Sequence, residues 1–193
     1  MRDCMRTWLD LNPDFEIMRW DESNVPDDPF VHRALAAGQW SRASNAVRMH
    51  ALLEHGGVYL DTDVEVVRSF EPLLDLSCFL GFQYIPGPAH KPFEMSVCGA
   101  IAGAEPGHPL IAKFLAEIPR HLEGPAAFDI IGPQMLTSVL IGEGLREYSP
   151  VPIEVGGATI FPKNVFYPFF YREERPPTVG PETIAIHLWA KRW

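Results

Sequence analysis

The junction between a helix and a strand at residues 56–60 constrains the fold of this chain most. Residues 41–55 carry a helical pattern that Ser41 could cap, and the paired glycines at 56 and 57 end it. Residues 58–60 then form a short buried strand that leads into Asp61-Thr62-Asp63, and residues 64–67 extend it. A helix that turns directly into a strand places one face beside that strand, which favours an α/β fold.

The rest of the chain alternates between strand and helix patterns. We predict further strands at residues 15–20, 79–83, 97–102, 153–155 and 183–186, and helices at 28–38, 109–121 and 133–141. This alternation is typical of an α/β sandwich, which here would be a single domain over residues 1–193. We expect a mostly parallel central sheet with helices on both faces. Ligands of such sheets bind beyond the carboxyl ends of strands, where Asp61 and Asp63 stand.

Proline content and charge narrow the possible functions. The chain has 19 prolines, about twice the usual share, and many fall in segments 86–92 and 150–181, which we expect to be long loops. A formal net charge of -9 argues against nucleic acid as a partner. There is no apolar run long enough for a membrane span and no opening signal peptide, and the three cysteines are widely spaced. We therefore expect a cytoplasmic protein.

Asp61 and Asp63 are two residues apart, so an extended backbone would direct both carboxylates to the same side. Two converging carboxylates repel each other unless a cation joins them. Mg²⁺ or Mn²⁺ suits such oxygen ligands and can also bridge to phosphate oxygens. A helix–loop–helix calcium site is a poor alternative, because Val66 and Pro72 stand where it needs glycine and glutamate.

The preceding helix supplies polar groups for the same site. Ser44 and Arg48 are four residues apart and Asn45 and Arg48 are three apart, so we expect the three to share one face. Arg48 could pair with a site carboxylate, or approach a diphosphate or sugar.

These residues resemble a known family. Residues 44–48 followed by Gly56-Gly57-Val58-Tyr59-Leu60-Asp61-Thr62-Asp63-Val64-Glu65 are similar to the sugar-binding region of the DXD-containing glycosyltransferases. That class includes bacterial capsular polysaccharide synthesis enzymes, fungal initiating mannosyltransferases and, more distantly, glucosylating toxins. Weaker similarities extend over most of the chain: Trp8 with Asn12-Pro13, residues 20–24, Gly132-Pro133 with Thr137, residues 166–168, and His187-x-Trp189 with Trp193.

The resemblance implies a GT-A-like, or Rossmann-like, fold and a nucleotide-diphosphate sugar donor held with Mn²⁺ or Mg²⁺. By position, Asp63 would bind the metal directly, and His187 would contact the metal or the diphosphate. Asp61 would hold the ribose or donor sugar, or reach the metal through water. The residues implied to bind the donor are Ser44, Asn45, Arg48, Asp61, Trp189 and Trp193, and those implied to be catalytic are Asp61, Asp63 and Arg48.

The chain departs from the family pattern in two places. Most members carry aspartate where this chain has Asn45, so we expect donor binding with an altered sugar preference. The resemblance also implies an opening strand ahead of residue 1 that helps to bind the nucleotide base. These 193 residues do not contain it, so either the sequence begins late or part of the nucleotide pocket is lost.

We expect a metal-dependent retaining glycosyltransferase that moves a sugar to a saccharide, glycolipid or other hydroxyl acceptor in polysaccharide or glycoconjugate synthesis. The alternative is a truncated relative that binds sugar nucleotide or carbohydrate without turnover. Phosphotransfer or hydrolysis at the same acidic pair is a third possibility.

Overall fold

The computed structural model describes residues 2–86, 93–118, 132–170, 173–175 and 178–190. The helices are α1 Arg2–Leu11, α2 Pro29–Ala36, α3 Trp40–His55, α4 Pro109–Glu117, α5 Pro133–Gly142 and α6 Lys163–Phe166, with a 3₁₀ turn at Glu71–Leu73. The strands are β1 Gly57–Leu60, β2 Val64–Val66, β3 Cys78–Pro86, β4 Phe93–Ala104, β5 Ile153–Val155, β6 Ala158–Phe161 and β7 Ala185–His187.

Local sequence signals explain where most helices begin and end. Asp28 caps α2, because its carboxylate accepts the N–H groups of Phe30 and Val31, and Pro29 follows as the first helical residue. The predicted cap at Ser41 is wrong. Helix α3 already begins at Trp40, without a side-chain cap. Its end is as predicted, since Gly56 has φ +67°, a conformation that glycine adopts without strain.

The central sheet has five strands in the order β1-β4-β3-β6-β5. The α/β class is confirmed, but the mostly parallel sheet is wrong, because only β3 and β6 pair in parallel and the other neighbours are antiparallel. Strands β3 and β4 follow each other with no helix between them among the described residues, and a direct connection of that kind forms an antiparallel hairpin. The parallel pair arises where α4 and α5 intervene between β3 and β6.

Two apolar clusters lie on opposite faces of this sheet. Helices α2 to α5 cover one face, against β3 residues such as Leu80 and Phe82. The other face packs against α6 and a small sheet of β2 and β7. Helix α1 lies on this side as well, where the Trp8 indole donates to the Val64 carbonyl at 2.7 Å. Helices therefore lie on both faces, as predicted.

Two sequence predictions of local structure were wrong, and one helix was missed. Residues 15–20 have no strand pairing. Segment 150–181 is not simply a long loop, since it contains β5, β6 and α6, and residues 87–92 of the other predicted loop lie outside the described residues. Helix α1 was not predicted. Among the described helices, none has the length and apolar character required to span a bilayer.

Pairing of β2 with β7 positions the candidate site. The two strands are antiparallel, with Val64 opposite His187. Strand β1 ends at Leu60, and a tight turn at Asp61–Asp63 joins it to β2. His187 therefore lies beside the two aspartates although more than 120 positions separate them in the chain.

Candidate functional site

The turn at Asp61–Asp63 buries both acids. The Asp61 N–H donates to the Ala100 carbonyl of β4 at 2.9 Å, and the Val64 N–H donates back to the Asp61 carbonyl at 2.9 Å. Asp61 is 8% exposed and Asp63 is 5% exposed, whereas Thr62 between them is exposed. The carboxylates therefore converge through a turn and not through the extended backbone that the spacing suggested.

Asp61 is held by two donors. Its Oδ1 accepts from Arg48 Nη2 at 2.9 Å and from the Tyr59 hydroxyl at 2.8 Å. The Arg48 guanidinium also lies 4.7 Å from the centroid of the Tyr59 ring. Burial tends to lower the pKa of Arg48, but the Asp61 carboxylate and smaller contributions from Tyr59, Cys98 and Tyr167 together outweigh this and raise it. Burial, reinforced by the Asp61 charge, raises the pKa of Tyr59. Arg48 is thus a fixed cation and Tyr59 a neutral donor.

Asp63 has a different environment. Its Oδ2 accepts the Ala190 N–H at 2.8 Å, while its Oδ1 lies 3.3 Å from His187 Nε2 without hydrogen-bond geometry. Burial alone would raise the pKa of Asp63, but His187 and the Ala190 N–H together hold it below its usual value. Asp63 is therefore a carboxylate at neutral pH.

Two buried polar atoms at this point lack a hydrogen-bond partner: Asp63 Oδ1 and His187 Nδ1. Leaving such atoms unpaired in a protein interior is costly, and an ion or water at the site is a common explanation. Asp61, Asp63 and His187 each offer one ligand atom, and these atoms lie within 4.8 Å of one another. Two carboxylates and an imidazole fit a divalent cation such as Mn²⁺ or Mg²⁺, with coordination positions left for other ligands.

A family model covers the part of the chain that contains the two aspartates. Residues 1–80 match the family model described as "Glycosyltransferase sugar-binding region containing DXD motif". The resemblance to the DXD-containing glycosyltransferases is confirmed. The chain is 24% identical over 123 residues to inositol phosphoceramide mannosyltransferase 3 of Schizosaccharomyces pombe, covering 61% of this chain and 32% of that protein.

Other relatives are also named glycosyltransferases. The chain is 26% identical over 174 residues to human lactosylceramide 4-alpha-galactosyltransferase (Homo sapiens), covering 82% of this chain and 46% of that protein. Among solved structures, PaToxG glycosyltransferase is similar over 63% of this chain and 43% of that one, with a TM-score of 0.47 and 19% identity. The chain therefore spans about a third to a half of the length of these curated relatives.

The structure separates the DXD-region residues predicted on α3. Arg48 contacts Asp61, and Asn45 lies next to Gly132, where a Cβ would come within 3.3 Å of the Asn45 amide nitrogen. Ser44 instead lines a cavity of about 620 Å³ that α1, α3, β1 and residues 15–22 enclose. Asp61 borders this cavity, whereas Asp63 and His187 do not line it. The three residues therefore have different neighbours, Ser44 lines the same cavity as Asp61, and their roles in donor binding stay predictions.

The two tryptophans predicted near the diphosphate have different outcomes. The Trp189 ring centroid lies 4.2 Å from that of His187, and its indole N–H donates to the Phe169 carbonyl at 3.1 Å. Trp189 therefore supports His187, and its proposed contact with a diphosphate stays a prediction. Trp193 lies outside the described residues.

Sequence reasoning missed three contributors to the site. Tyr59 stands two residues before Asp61, so the period of a strand could have indicated its contact. Gly99 leaves room for Arg48, because a Cβ there would lie 2.9 Å from Arg48 Nη1. The contact of the Ala190 N–H with Asp63 could not be predicted from the sequence, since a backbone donor does not depend on residue type.

Proposed function

We propose that this chain binds a nucleotide-diphosphate sugar through a divalent cation at Asp63, Asp61 and His187 and transfers the sugar to a hydroxyl acceptor, with retention of configuration. One observation carries the proposal. The buried Asp63 Oδ1 has no hydrogen-bond donor, yet it faces His187 and lies in ligand range of Asp61.

The two aspartates have distinct roles in this proposal. Asp61 Oδ1 already accepts from Arg48 and Tyr59, so much of its charge is neutralised by the protein. Asp63 Oδ1 accepts no hydrogen bond and lies beside His187, so Asp63 is the direct metal ligand in this proposal. Asp61 borders the cavity and contributes to donor binding, or reaches the cation through water.

The bound cation would neutralise the charge that develops on the departing diphosphate. Around it, the chain's own residues hold the geometry: Arg48 fixes Asp61, and Trp189 packs on His187. The cavity beside Ser44 and Asp61 is mostly lined by apolar side chains and has the size of a small-molecule site, so it is the place for the nucleoside part of the donor.

The names of the relatives support one acceptor class. Two relatives are named for transfer to inositol phosphoceramide and lactosylceramide, so a glycolipid is favoured over a free polysaccharide. Galactose and mannose are the first donor sugars to test. The cytoplasmic location stays a prediction.

The test is donor hydrolysis and transfer with a panel of UDP- and GDP-linked sugars. We expect turnover that requires Mn²⁺ or Mg²⁺, stops in excess chelator, and is lost in Asp63→Ala. Asp75→Ala, at an acidic residue outside the site, is the matched control and keeps full activity. Turnover that survives chelation would refute the proposal. Donor binding without hydrolysis or transfer would favour the non-catalytic alternative.

A further inference from the structure

The segment at residues 188–190 donates two hydrogen bonds to Asp63. The Leu188 N–H donates to the Asp63 backbone carbonyl at 3.0 Å, and the Ala190 N–H donates to Asp63 Oδ2 at 2.8 Å. The first contact continues the pairing of β2 with β7. The second lies beyond the strand and requires the chain to turn, so that the N–H of residue 190 points back at the carboxylate.

Trp189 makes that turn in an unusual conformation. Its φ is +54°, and among the described residues it is the one residue other than glycine with a positive φ. The left-handed region is unfavourable for a residue with a Cβ atom, so the surroundings must stabilise it. They do so through the ring, which packs against His187 and Phe170 and donates its indole N–H to the Phe169 carbonyl.

We propose that Trp189 is a positioning residue for the metal site. Its left-handed backbone directs the Ala190 N–H to Asp63 Oδ2, and this contact keeps Oδ1 turned toward His187 and Asp61. A carboxylate held in this way loses little rotational freedom when it binds a cation. Metal affinity then depends on the backbone conformation at residue 189 as well as on the ligands themselves. The inference rests on the proposed function for the identity of the site.

The test compares two substitutions that remove the ring but differ in backbone preference. Glycine accepts φ +54° without strain and alanine does not, so Trp189→Gly retains the turn better than Trp189→Ala. We expect Trp189→Ala to bind Mn²⁺ about fivefold more weakly than Trp189→Gly, equivalent to about 1 kcal/mol for the left-handed alanine. Isothermal titration calorimetry measures both affinities.

A matched pair at another tryptophan controls for the general effect of the two substitutions. Trp40 is the exposed first residue of α3 and lines the cavity beside Asp61, which neither Asp63 nor His187 lines. We expect Trp40→Gly and Trp40→Ala to bind Mn²⁺ equally.

Amide hydrogen exchange in the metal-free protein tests the geometry without the cation. The Ala190 amide should exchange slowly in the wild type, faster in Trp189→Ala than in Trp189→Gly, and fastest in Asp63→Ala, which lacks the acceptor. Equal Mn²⁺ affinity in the two Trp189 variants, or an unprotected Ala190 amide in the wild type, would overturn the inference and leave the proposed function standing. A protected amide in a wild type that binds no Mn²⁺ or Mg²⁺ would instead overturn the proposed function, and with it the role in metal binding.

Discussion

Replacing Arg48 with methionine tests how the buried charge of Asp61 is balanced. The side chains of Arg48 and Asp61 are 6% and 9% exposed, and their contact is 2.9 Å, so removing the guanidinium leaves a largely buried carboxylate without its cation. Removing one partner of a buried ion pair typically costs about 3–5 kcal/mol. Tyr59 still donates to Asp61, which favours the lower end, and we expect a loss of about 3 kcal/mol in the free energy of unfolding.

A double-mutant cycle measured by urea denaturation, with thermal denaturation of the same variants, checks this value. Arg48→Met should lower the melting temperature by roughly 10 °C for a chain of this size. Adding Asp61→Asn removes the unpaired charge, so the double variant should be less destabilised than the sum of the two single variants. A loss below about 1 kcal/mol in Arg48→Met, or additive single effects, would show that Asp61 does not depend on Arg48.

Three further predictions concern the surroundings of the site. Gly99→Ala places a Cβ 2.9 Å from Arg48 Nη1, so it should lower the free energy of unfolding by about 1–3 kcal/mol and weaken donor binding. The control Gly142→Ala has open space around its Cβ and should be neutral or slightly stabilising. Tyr167→Phe removes a buried hydroxyl that donates to one β4 carbonyl and accepts one β4 N–H, so denaturation should show a loss of about 1–3 kcal/mol. Folding lowers the pKa of Asp63, so this carboxylate stabilises the fold above its unfolded pKa of about 4, and the stabilisation is lost as pH falls through the lower folded pKa. With chelator present, Asp63→Asn should therefore flatten the dependence of the unfolding free energy on pH between about 5 and 2.

Each of these predictions has an outcome that contradicts it. Equal stability of the Gly99→Ala and Gly142→Ala variants would show that Arg48 has room to move. An unaffected Tyr167→Phe variant would mean that the β4 groups find other partners. An unchanged pH profile in Asp63→Asn would show that the pKa of Asp63 does not change on folding.

Local sequence signals predicted the parts of the structure that depend on neighbouring residues. Gly56 ends α3 where the sequence placed the stop, and proline marks the first residue of α4 and of α5. Residues 15–20 alternate like a strand, but their side chains line the cavity and the backbone has no pairing partner. Residues of both alternating sets line the cavity, so the alternation did not mark one buried face of a strand.

The strand directions and the contact of His187 with Asp63 could not be derived from local patterns. Both depend on pairing between segments far apart in the chain, which periodicity does not encode. The resemblance to the DXD family supplied His187 because it carries information on distant residues. Neither source could indicate the Ala190 N–H, which reaches Asp63 through the backbone conformation of Trp189.

The central claim is that Asp63 and His187 hold a divalent cation. Electron spin-echo spectroscopy of the protein with one equivalent of Mn²⁺ tests it most directly, because a coordinated imidazole gives a nitrogen coupling. We expect one bound Mn²⁺ with such a coupling, which His187→Gln removes, and greatly weakened binding in Asp63→Ala. Mn²⁺ bound without a nitrogen coupling, or with undiminished affinity in Asp63→Ala, would contradict it.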